Sequence, residues 1–373
     1  MEDNFRCNVL IMGKTGTGKS TLLNYLCDEN LAQTGSGKPV TGEGIYEYTA
    51  KINGQEVQIF DSWGIEAGKV DRWKALLDDS LKSHGVDKNI EDWFHSVIYC
   101  VQAGGGRVED IDIEIIRRFL AEGYLLTVVL TKADQVDEDD EAKMISVILG
   151  EFRGALPAIG KKSFNVIATC AEKKKTRSGE TQPFGKEEVQ KAILDGWKET
   201  IIERLPKHVI SKLCDLVDDW AATEKANLVN EEISGLSDEN MVIYQSIDER
   251  ANQLREDLSK VQVKKIFSEA IESCKKADTS LRSTFCIDID AYNNGKDGGE
   301  EDRSFWSWVF TIPGLIVLGI PIAIVRLIKS KSSKLINDEY KNIENYIDTV
   351  ADHIKNQCKK YERVVAKELK KAI

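Results

Sequence analysis

The chain has 373 residues, of which 42% are hydrophobic and 30% are charged, a balance typical of a folded protein long enough for two buried cores. Its formal net charge of −11 at pH 7 argues against a nucleic-acid-binding surface, so no nucleic-acid partner is expected. The eight cysteines include no CxxC pair, which indicates reduced, buried thiols and excludes a disulfide framework or a cysteine metal centre.

Strands and helices alternate up to about residue 205. Apolar runs predict strands over 7–12, 45–52, 57–62, 96–102, 124–131 and 164–169. Helices are predicted over 18–28, 69–84, 108–123 and 139–152. Asn53 and Gly54 predict a hairpin turn between the second and third strands. The fold class that this order indicates is α/β, with a doubly wound, mostly parallel sheet and helices on both faces.

The remaining chain carries apolar residues at three- and four-residue steps, which predicts helices. The tail pattern runs through Ile336, Tyr340, Ile343, Ile347, Val350, Ile354, Cys358, Tyr361, Val365 and Leu369. Polar, glycine-rich residues 291–303 predict a linker. We therefore expect two domains, an α/β domain over 1–205 and an all-α domain over 206–373.

The segment GKTGTGKST, residues 13–21, lies between the first predicted strand and the first helix and matches the phosphate-binding pattern GxxxxGK[ST]. Its glycines let main-chain N–H groups converge on phosphate oxygens, and the helix N-terminus adds positive potential. Lys19 is expected to reach the β- and γ-phosphates, and the Ser20 hydroxyl to bind Mg²⁺. The nucleotide-binding residues expected here are Gly13, Lys14, Thr15, Gly16, Thr17, Gly18, Lys19, Ser20 and Thr21.

Later segments resemble the GTPase branch of the phosphate-loop proteins. Asp61-Ser62-Trp63-Gly64 is similar to the DxxG motif of that branch. The resemblance implies that Asp61 holds Mg²⁺ through a water molecule and that the Gly64 N–H contacts the γ-phosphate. We expect Trp63 to serve packing or a partner contact and not the chemistry.

Two further segments point to guanine. Thr131-Lys132-Ala133-Asp134 resembles the guanine motif [N/T]KxD, with Thr131 in place of the commoner asparagine. Asp134 can accept two hydrogen bonds from guanine N1–H and its exocyclic amine, and the stem of Lys132 can lie over the base. The segment Thr169, Cys170 and Ala171 resembles the short stretch whose main chain meets guanine O6. The expected ligands are therefore GTP and GDP with Mg²⁺.

A switch threonine is expected in the polar, glycine-rich loop 31–44. Thr41 is our candidate, and Thr34 is the weaker competitor. The resemblance implies that the Thr41 hydroxyl binds Mg²⁺ when the γ-phosphate is present. The expected metal ligands are then Ser20, Thr41 and Asp61, and the residues expected to act on the reaction are Lys19, Thr41 and Gly64.

The group that positions the attacking water is not evident. Ile65 stands where Ras-like GTPases carry a glutamine, and Gly16 stands where potassium-activated members carry an asparagine. The resemblance is closer to Era-like, septin-like, dynamin-like and immunity-related GTPases, and it implies slow turnover with help from dimerisation across the nucleotide face. Arg107 is a candidate for supplying charge, although a solvated loop arginine is the favoured interpretation. Glu66 and His95 are polar residues near the switch regions, and we assign neither a role.

Residues 304–325 form an uncharged, apolar segment of membrane-spanning length. Pro313 and Gly314 interrupt it, and Arg326, Lys329 and further lysines follow it, so a re-entrant hairpin at the cytosolic face of a membrane fits better than a single span. The alternative is a hairpin buried in the helical domain or in a partner. The location expected is cytoplasmic, with or without this contact with a lipid membrane.

Two functions follow from these alternatives. The first is a membrane-associated GTPase that hydrolyses GTP to GDP and phosphate when it dimerises. The second is a soluble, slow GTPase switch whose helical half binds a protein or ribosomal partner.

Overall fold

The computed structural model describes residues 6–33, 43–66, 68–105, 108–152, 164–176, 179–233, 240–263, 265–266, 268–270 and 336–372. Contacts divide the chain into two compact units, with the division between Arg204 and Leu205. That 1–205 and 206–373 are two separate domains stays a prediction.

The first unit is built on a six-stranded sheet in the order β2-β3-β1-β4-β5-β6. Every neighbouring pair is parallel except β2 and β3, which are antiparallel. The α/β fold with a mostly parallel sheet is therefore confirmed. The strands are β1 (Cys7–Gly13), β2 (Ile45–Ile52), β3 (Gln55–Ser62), β4 (Ser96–Gln102), β5 (Leu126–Thr131) and β6 (Phe164–Ala168).

Helices alternate with these strands as the sequence predicts. They are α1 (Lys19–Cys27), α2 (Val70–Ser83), α3 (Asp110–Glu122) and α4 (Glu138–Phe152), and α5 (Lys186–Asn227) follows the sheet. The ends of α3 have clear local causes. Glu109 and Asp112 form a reciprocal capping box at its start, and Gly123 adopts φ 86° just after its end.

The turn between β2 and β3 is the predicted hairpin. Asn53 and Gly54 have φ 50° and 81°, the left-handed values that a two-residue type I′ turn requires. A second, short hairpin of β7 (Lys174–Thr176) and β8 (Gly179–Thr181) was not predicted, because these polar residues show no apolar alternation.

The central strands are buried on both faces, as a sheet covered by helices requires. All seven residues of β1 and all six of β5 are buried. Because parallel strands end at the same edge, the segments after β1, β3, β4 and β5 meet at the carboxyl edge of the sheet. The predicted nucleotide motifs follow three of these four strands.

The second unit contains the later part of α5, then α6 (Met241–Asp257), a π-helical stretch (Leu258–Gln262) and α7 (Ile336–Ala372). The predicted apolar stripe of α7 is buried at Ile343, Ile347, Val350, Ile354 and Cys358. Tyrosine hydroxyls join α6 to α7, since Tyr244 donates to Glu339 and Tyr346 donates to Asp248.

Within the described ranges, no helix has both the length and the apolar character that a membrane span needs. The apolar segment 304–325 and the predicted linker 291–303 lie outside the described residues.

Candidate nucleotide-binding site

The phosphate loop follows β1, and α1 begins at Lys19. Its glycines Gly13, Gly16 and Gly18 have φ of 141°, 82° and 90°, values that side chains rarely allow. Gly13 is also closely packed, because a Cβ there would lie 2.4 Å from the Cys100 carbonyl oxygen. The glycine spacing therefore serves the backbone shape that a phosphate cradle needs.

Lys19 is held inside this loop. Its side chain is buried, and Nζ donates to the carbonyl oxygens of Gly13 at 3.2 Å and Lys14 at 3.0 Å. Burial lowers the pKa of Lys19, and the nearby charge of Asp61 opposes that shift. Because main-chain carbonyls hold the ammonium, phosphate oxygens can replace them as partners.

Ser20 and Asp61 meet where a magnesium ion is expected. The Ser20 hydroxyl donates to Asp61 Oδ2 at 3.0 Å, and Asp61 is fully buried. Burial raises the pKa of Asp61, while Lys19 and the Ser20 hydrogen bond lower it. Asp61 Oδ1 has no hydrogen-bond partner in the described part of the chain. These hard oxygen atoms fit Mg²⁺, which when bound neutralises phosphate charge.

The DxxG segment lies directly on the phosphate loop. The Ile65 N–H donates to the Gly13 carbonyl at 3.2 Å, and the Thr15 N–H donates to the Ile65 carbonyl at 3.1 Å. A Cβ on Gly64 would lie 2.5 Å from Thr15 Oγ1 and 2.6 Å from Thr15 Cα. Only glycine fits at residue 64 in this close approach.

Trp63 anchors this segment to α2. Its side chain is buried, its indole N–H donates to Glu66 at 3.2 Å, and its carbonyl accepts the Trp73 indole N–H at 2.8 Å. The Lys69 ammonium lies 5.2 Å from the Trp63 ring centroid. Trp63 therefore serves packing, the first of the two uses that we expected.

The guanine segments line a pocket of about 370 Å³, part of which is open to solvent. Its lining residues are Gly18, Thr21, Leu22, Thr131, Lys132, Asp134, Thr169, Cys170, Ala171 and Glu172. The sequence predicts eight of these ten as nucleotide-binding residues, and Leu22 and Glu172 are the additions. The pocket thus places the phosphate loop and both guanine segments around one cavity.

Thr131 and Lys132 connect β5 to the phosphate loop. The Thr131 hydroxyl donates to the carbonyl of Thr17. The Val101 carbonyl lies 3.3 Å from the same hydroxyl. Lys132 has φ 55°, and its ammonium donates to the Gly16 carbonyl at 2.7 Å. These hydrogen bonds hold the phosphate loop against the residues that follow β5.

Asp134 lines the pocket and offers an unused hydrogen-bond acceptor. Its Oδ1 is buried and has no partner among the residues described. Its backbone is fixed to the last strand, since the Ala133 N–H donates to the Thr169 carbonyl at 3.0 Å. Cys170 exchanges main-chain hydrogen bonds with Phe184 at 3.2 and 2.9 Å. A main-chain hydrogen bond therefore joins the two guanine segments, and the second segment is also paired with Phe184.

One feature of the site was not predicted. The Lys14 ammonium contacts Asp112 Oδ2 at 2.6 Å and Glu109 Oε1 at 3.1 Å, and Asp112 also accepts the Tyr99 hydroxyl at 2.6 Å. The side chain of Lys14 therefore ties the loop to α3, and only its main chain faces Lys19. A contact between residues 98 positions apart leaves no local signal in the sequence.

Other predicted residues lie elsewhere. Thr41, Thr34 and Arg107 fall outside the described residues, so their predicted roles stay predictions. His95 is not near the switch regions, because it precedes β4 at the amino edge of the sheet. There its Nδ1 accepts the Asn8 N–H at 3.0 Å, so Nε2 carries the proton toward the Ile90 carbonyl at 2.9 Å.

Comparison with known proteins agrees with this geometry. Residues 8–132 match the family described as 50S ribosome-binding GTPase. The N-terminal unit is a P-loop GTPase domain. P-loop NTPases hold Mg²⁺ through the loop Ser or Thr and an Asp of a second motif. Here Ser20 belongs to the loop, and Asp61 is the next-to-last residue of β3.

Curated relatives are similar to part of this chain. The tRNA modification GTPase MnmE of Ureaplasma parvum is 31% identical over 138 residues, which are 36% of this chain and 28% of that protein. The septin homolog spn1 of Schizosaccharomyces pombe is 26% identical over 165 residues, 38% of this chain and 35% of that protein. The chain thus spans about a third of the length of these relatives.

Among solved structures, Toc33 from Arabidopsis thaliana in complex with GDP and Mg²⁺ is 21% identical, with a TM-score of 0.39. The alignment covers 52% of this chain and 85% of Toc33.

Proposed function

We propose that this protein binds GTP with Mg²⁺ and hydrolyses it to GDP and phosphate. The observation that carries the proposal is the pocket shared by the phosphate loop and the guanine segments. Asp134, whose Oδ1 has no hydrogen-bond partner among the described residues, belongs to the lining of this pocket, and Ser20, which donates to Asp61, lies in the sequence between the lining residues Gly18 and Thr21.

The residues of the loop divide the work of holding the triphosphate. Lys19 exchanges the Gly13 and Lys14 carbonyls for phosphate oxygens, which places its charge where negative charge develops in the reaction. Ser20 and Asp61 would hold the Mg²⁺ ion, which would supply charge to neutralise the phosphates, and Asp61 Oδ1, which has no partner among the described residues, could accept a hydrogen bond from water. Glycine at 64 allows the DxxG main chain to approach the loop and to respond to the γ-phosphate.

Selection of guanine over adenine rests on Asp134. Its carboxylate accepts hydrogen bonds, and guanine offers two donors side by side at N1 and at the exocyclic amine. Adenine has no donor at N1, so it would leave a buried acceptor unpaired, which is costly.

We further propose that turnover depends on dimerisation across the nucleotide face and that the protein works in the cytoplasm at a membrane surface. Two sequence features support this finer proposal. Ile65 cannot hydrogen-bond a water molecule, so the site needs another group, and residues 304–325 are apolar enough to enter lipid. The second candidate is a soluble switch whose helical unit binds a protein or ribosomal partner, with 304–325 buried in protein.

Phosphate release from GTP by the purified full chain tests the proposal. We expect Mg²⁺-dependent release from GTP, little from ATP, and none from Lys19→Ala. Absence of release from the wild type at every protein concentration would overturn the hydrolase proposal.

The same assay separates the two candidates. A specific rate that rises with protein concentration supports dimerisation, and stimulation by anionic liposomes that disappears when 304–325 are deleted supports the membrane function. A rate indifferent to both, together with GTP-dependent capture of a protein partner, favours the soluble switch.

A further inference from the structure

We propose that Thr15 is the polar residue of this chain that contacts the γ-phosphate and the attacking water, the position that Ile65 cannot serve. The proposal rests on the hydrolysis proposed above. It adds a catalytic residue to the phosphate loop that neither the loop pattern nor the DxxG motif specifies, because the pattern allows any residue at this position.

The first observation is that the Thr15 hydroxyl is buried and has no hydrogen-bond partner within the described residues. Its neighbour Thr17 differs, because that hydroxyl donates to the Lys14 carbonyl at 2.8 Å. A buried hydroxyl without a partner is unfavourable unless a ligand completes it. The Thr15 side chain thus keeps its hydrogen-bonding capacity in the absence of nucleotide.

The second observation is where this hydroxyl lies. Thr15 Oγ1 would be 2.5 Å from a Cβ on Gly64, so it lies against the glycine whose N–H is expected to contact the γ-phosphate. Next along the loop, the Lys14 carbonyl accepts the Lys19 ammonium at 3.0 Å. The hydroxyl therefore lies beside one of the two groups assigned to the γ-phosphate, and the preceding residue holds the other.

The third observation explains how the hydroxyl becomes available. The Thr15 N–H and the Ile65 carbonyl are paired at 3.1 Å, and this pair closes the DxxG segment over the loop. A γ-phosphate entering between them separates the pair and uncovers the hydroxyl. Occupancy of that site and the position of Ile65 are then linked.

The chemistry suits a hydroxyl. It has one donor and two acceptor lone pairs, so it can donate to a γ-phosphoryl oxygen and accept from water. The water oxygen bonds to the γ-phosphorus, the bond to the β,γ-bridging oxygen breaks, and its electron pair stays on GDP. The water proton leaves with the inorganic phosphate, so Thr15 orients the water and is not itself a base.

Two substitutions at one position test this assignment. Thr15→Val keeps the shape and removes the hydroxyl, whereas Thr15→Ser keeps the hydroxyl. Thr127→Val is the matched control, because the Thr127 hydroxyl is also buried without a partner among described residues but lies inside β5. Single-turnover phosphate release and the affinities for GDP and a non-hydrolysable GTP analogue are measured at equal protein concentration.

We expect Thr15→Val to lower the rate about tenfold or more, the loss of one hydrogen bond to a charged group. It should weaken binding of the GTP analogue and leave the GDP affinity within about twofold of the wild-type value. Thr15→Ser and Thr127→Val should stay near the wild-type rate.

A wild-type rate in Thr15→Val would overturn the assignment. So would equal losses in Thr15→Val and Thr15→Ser, or loss of GDP binding in Thr15→Val, since either outcome gives the residue a structural role. Failure of the proposed function looks different, because the wild type itself would then release no phosphate.

Discussion

The two edges of the central sheet bury charge in different ways. At the carboxyl edge, Lys19 is held by loop carbonyls and Asp61 by a serine hydroxyl. At the amino edge, the Arg204 guanidinium lies 3.8 Å from the centroid of the Tyr124 ring and 5.0 Å from that of Trp93. Burial lowers the pKa of Lys19 and of Arg204 alike.

The two edges differ in whether the partners of the buried charged groups can be replaced by a ligand. Carbonyls and a hydroxyl in a glycine loop can give way to phosphate and metal, and Asp61 and Asp134 each keep an unpartnered oxygen in the described chain. The aromatic rings around Arg204 are core side chains, and both ring nitrogens of His95 are satisfied by main chain. Arg204 Nε and Nη1 are also buried without a hydrogen-bond partner among the residues that the structure describes. The exchangeable partners at the carboxyl edge, and not burial or an unpartnered atom alone, therefore distinguish a ligand site from a structural contact.

The largest effect is expected from Asp134→Asn at the carboxyl edge. The amide loses two charge-assisted hydrogen bonds to guanine and places its own N–H₂ against a donor, so GTP affinity should fall about 10³-fold. Xanthosine triphosphate, which has an oxygen in place of the exocyclic amine, should regain binding. Equilibrium titration with both nucleotides measures this, and an unchanged GTP affinity would remove Asp134 from the guanine site.

Gly64→Ala should nearly abolish turnover, by about 10²-fold, since its Cβ would lie within 2.7 Å of Thr15 main-chain and side-chain atoms. GDP binding should be far less affected, because the displaced segment faces the γ-phosphate. Single-turnover phosphate release and GDP titration give the two numbers. Wild-type turnover would show that the DxxG segment does not need this close approach.

Trp73→Phe compares the edges directly, with Trp93→Phe as its matched control. Each change removes part of a buried ring and one indole N–H. The Trp73 N–H donates to the Trp63 carbonyl at 2.8 Å, and the Trp93 N–H donates to the Lys88 carbonyl at 3.2 Å. Each should lower the free energy of unfolding by about 2 kcal/mol.

Turnover, measured beside urea unfolding, should fall in Trp73→Phe alone, because Trp63 belongs to the DxxG segment. Equal loss of turnover in both variants would mean that the edges are not functionally distinct.

The smallest effect on turnover belongs to His95. Burial lowers its pKa to about 3, whereas the unfolded chain has a pKa near 6.5. The unfolded state therefore takes up the extra proton between these values, and stability is retained above pH ~6.5 and falls as the pH is lowered, by about 1.4 kcal/mol per pH unit.

His95→Gln keeps a donor and an acceptor without a titrating group, so this part of the slope should disappear in urea unfolding from pH 6.5 to 4. Turnover at pH 7 should not change. A slope identical to that of the wild type would show that His95 is not the group responsible.

Much of this fold could be predicted from the sequence because its signals are local. The apolar runs of β1 and β5 and the glycine stop at Gly123 mark their own elements, and Asn53-Gly54 marks its turn. The phosphate loop and the guanine motif are likewise short patterns whose order along the chain places them at one sheet edge.

Other features could not be predicted, because they join distant residues or lack a pattern. The contact of Lys14 with Asp112 and that of Thr15 with Gly64 depend on how the strands are ordered in the sheet. The hairpin β7–β8 is too short and polar to show alternation. His95 was placed near the switches by its position in the sequence, whereas the strand that it precedes starts at the opposite edge.

The most direct test of the central claim is nucleotide selection by the intact protein. Isothermal titration of the nucleotide-free full chain with GTP and with ATP, both with Mg²⁺, compares the two bases at one site. The account predicts that GTP binds at least ~100-fold more tightly than ATP, since adenine leaves the Asp134 carboxylate unpaired. Equal affinities would contradict the assignment of this edge as a guanine nucleotide site.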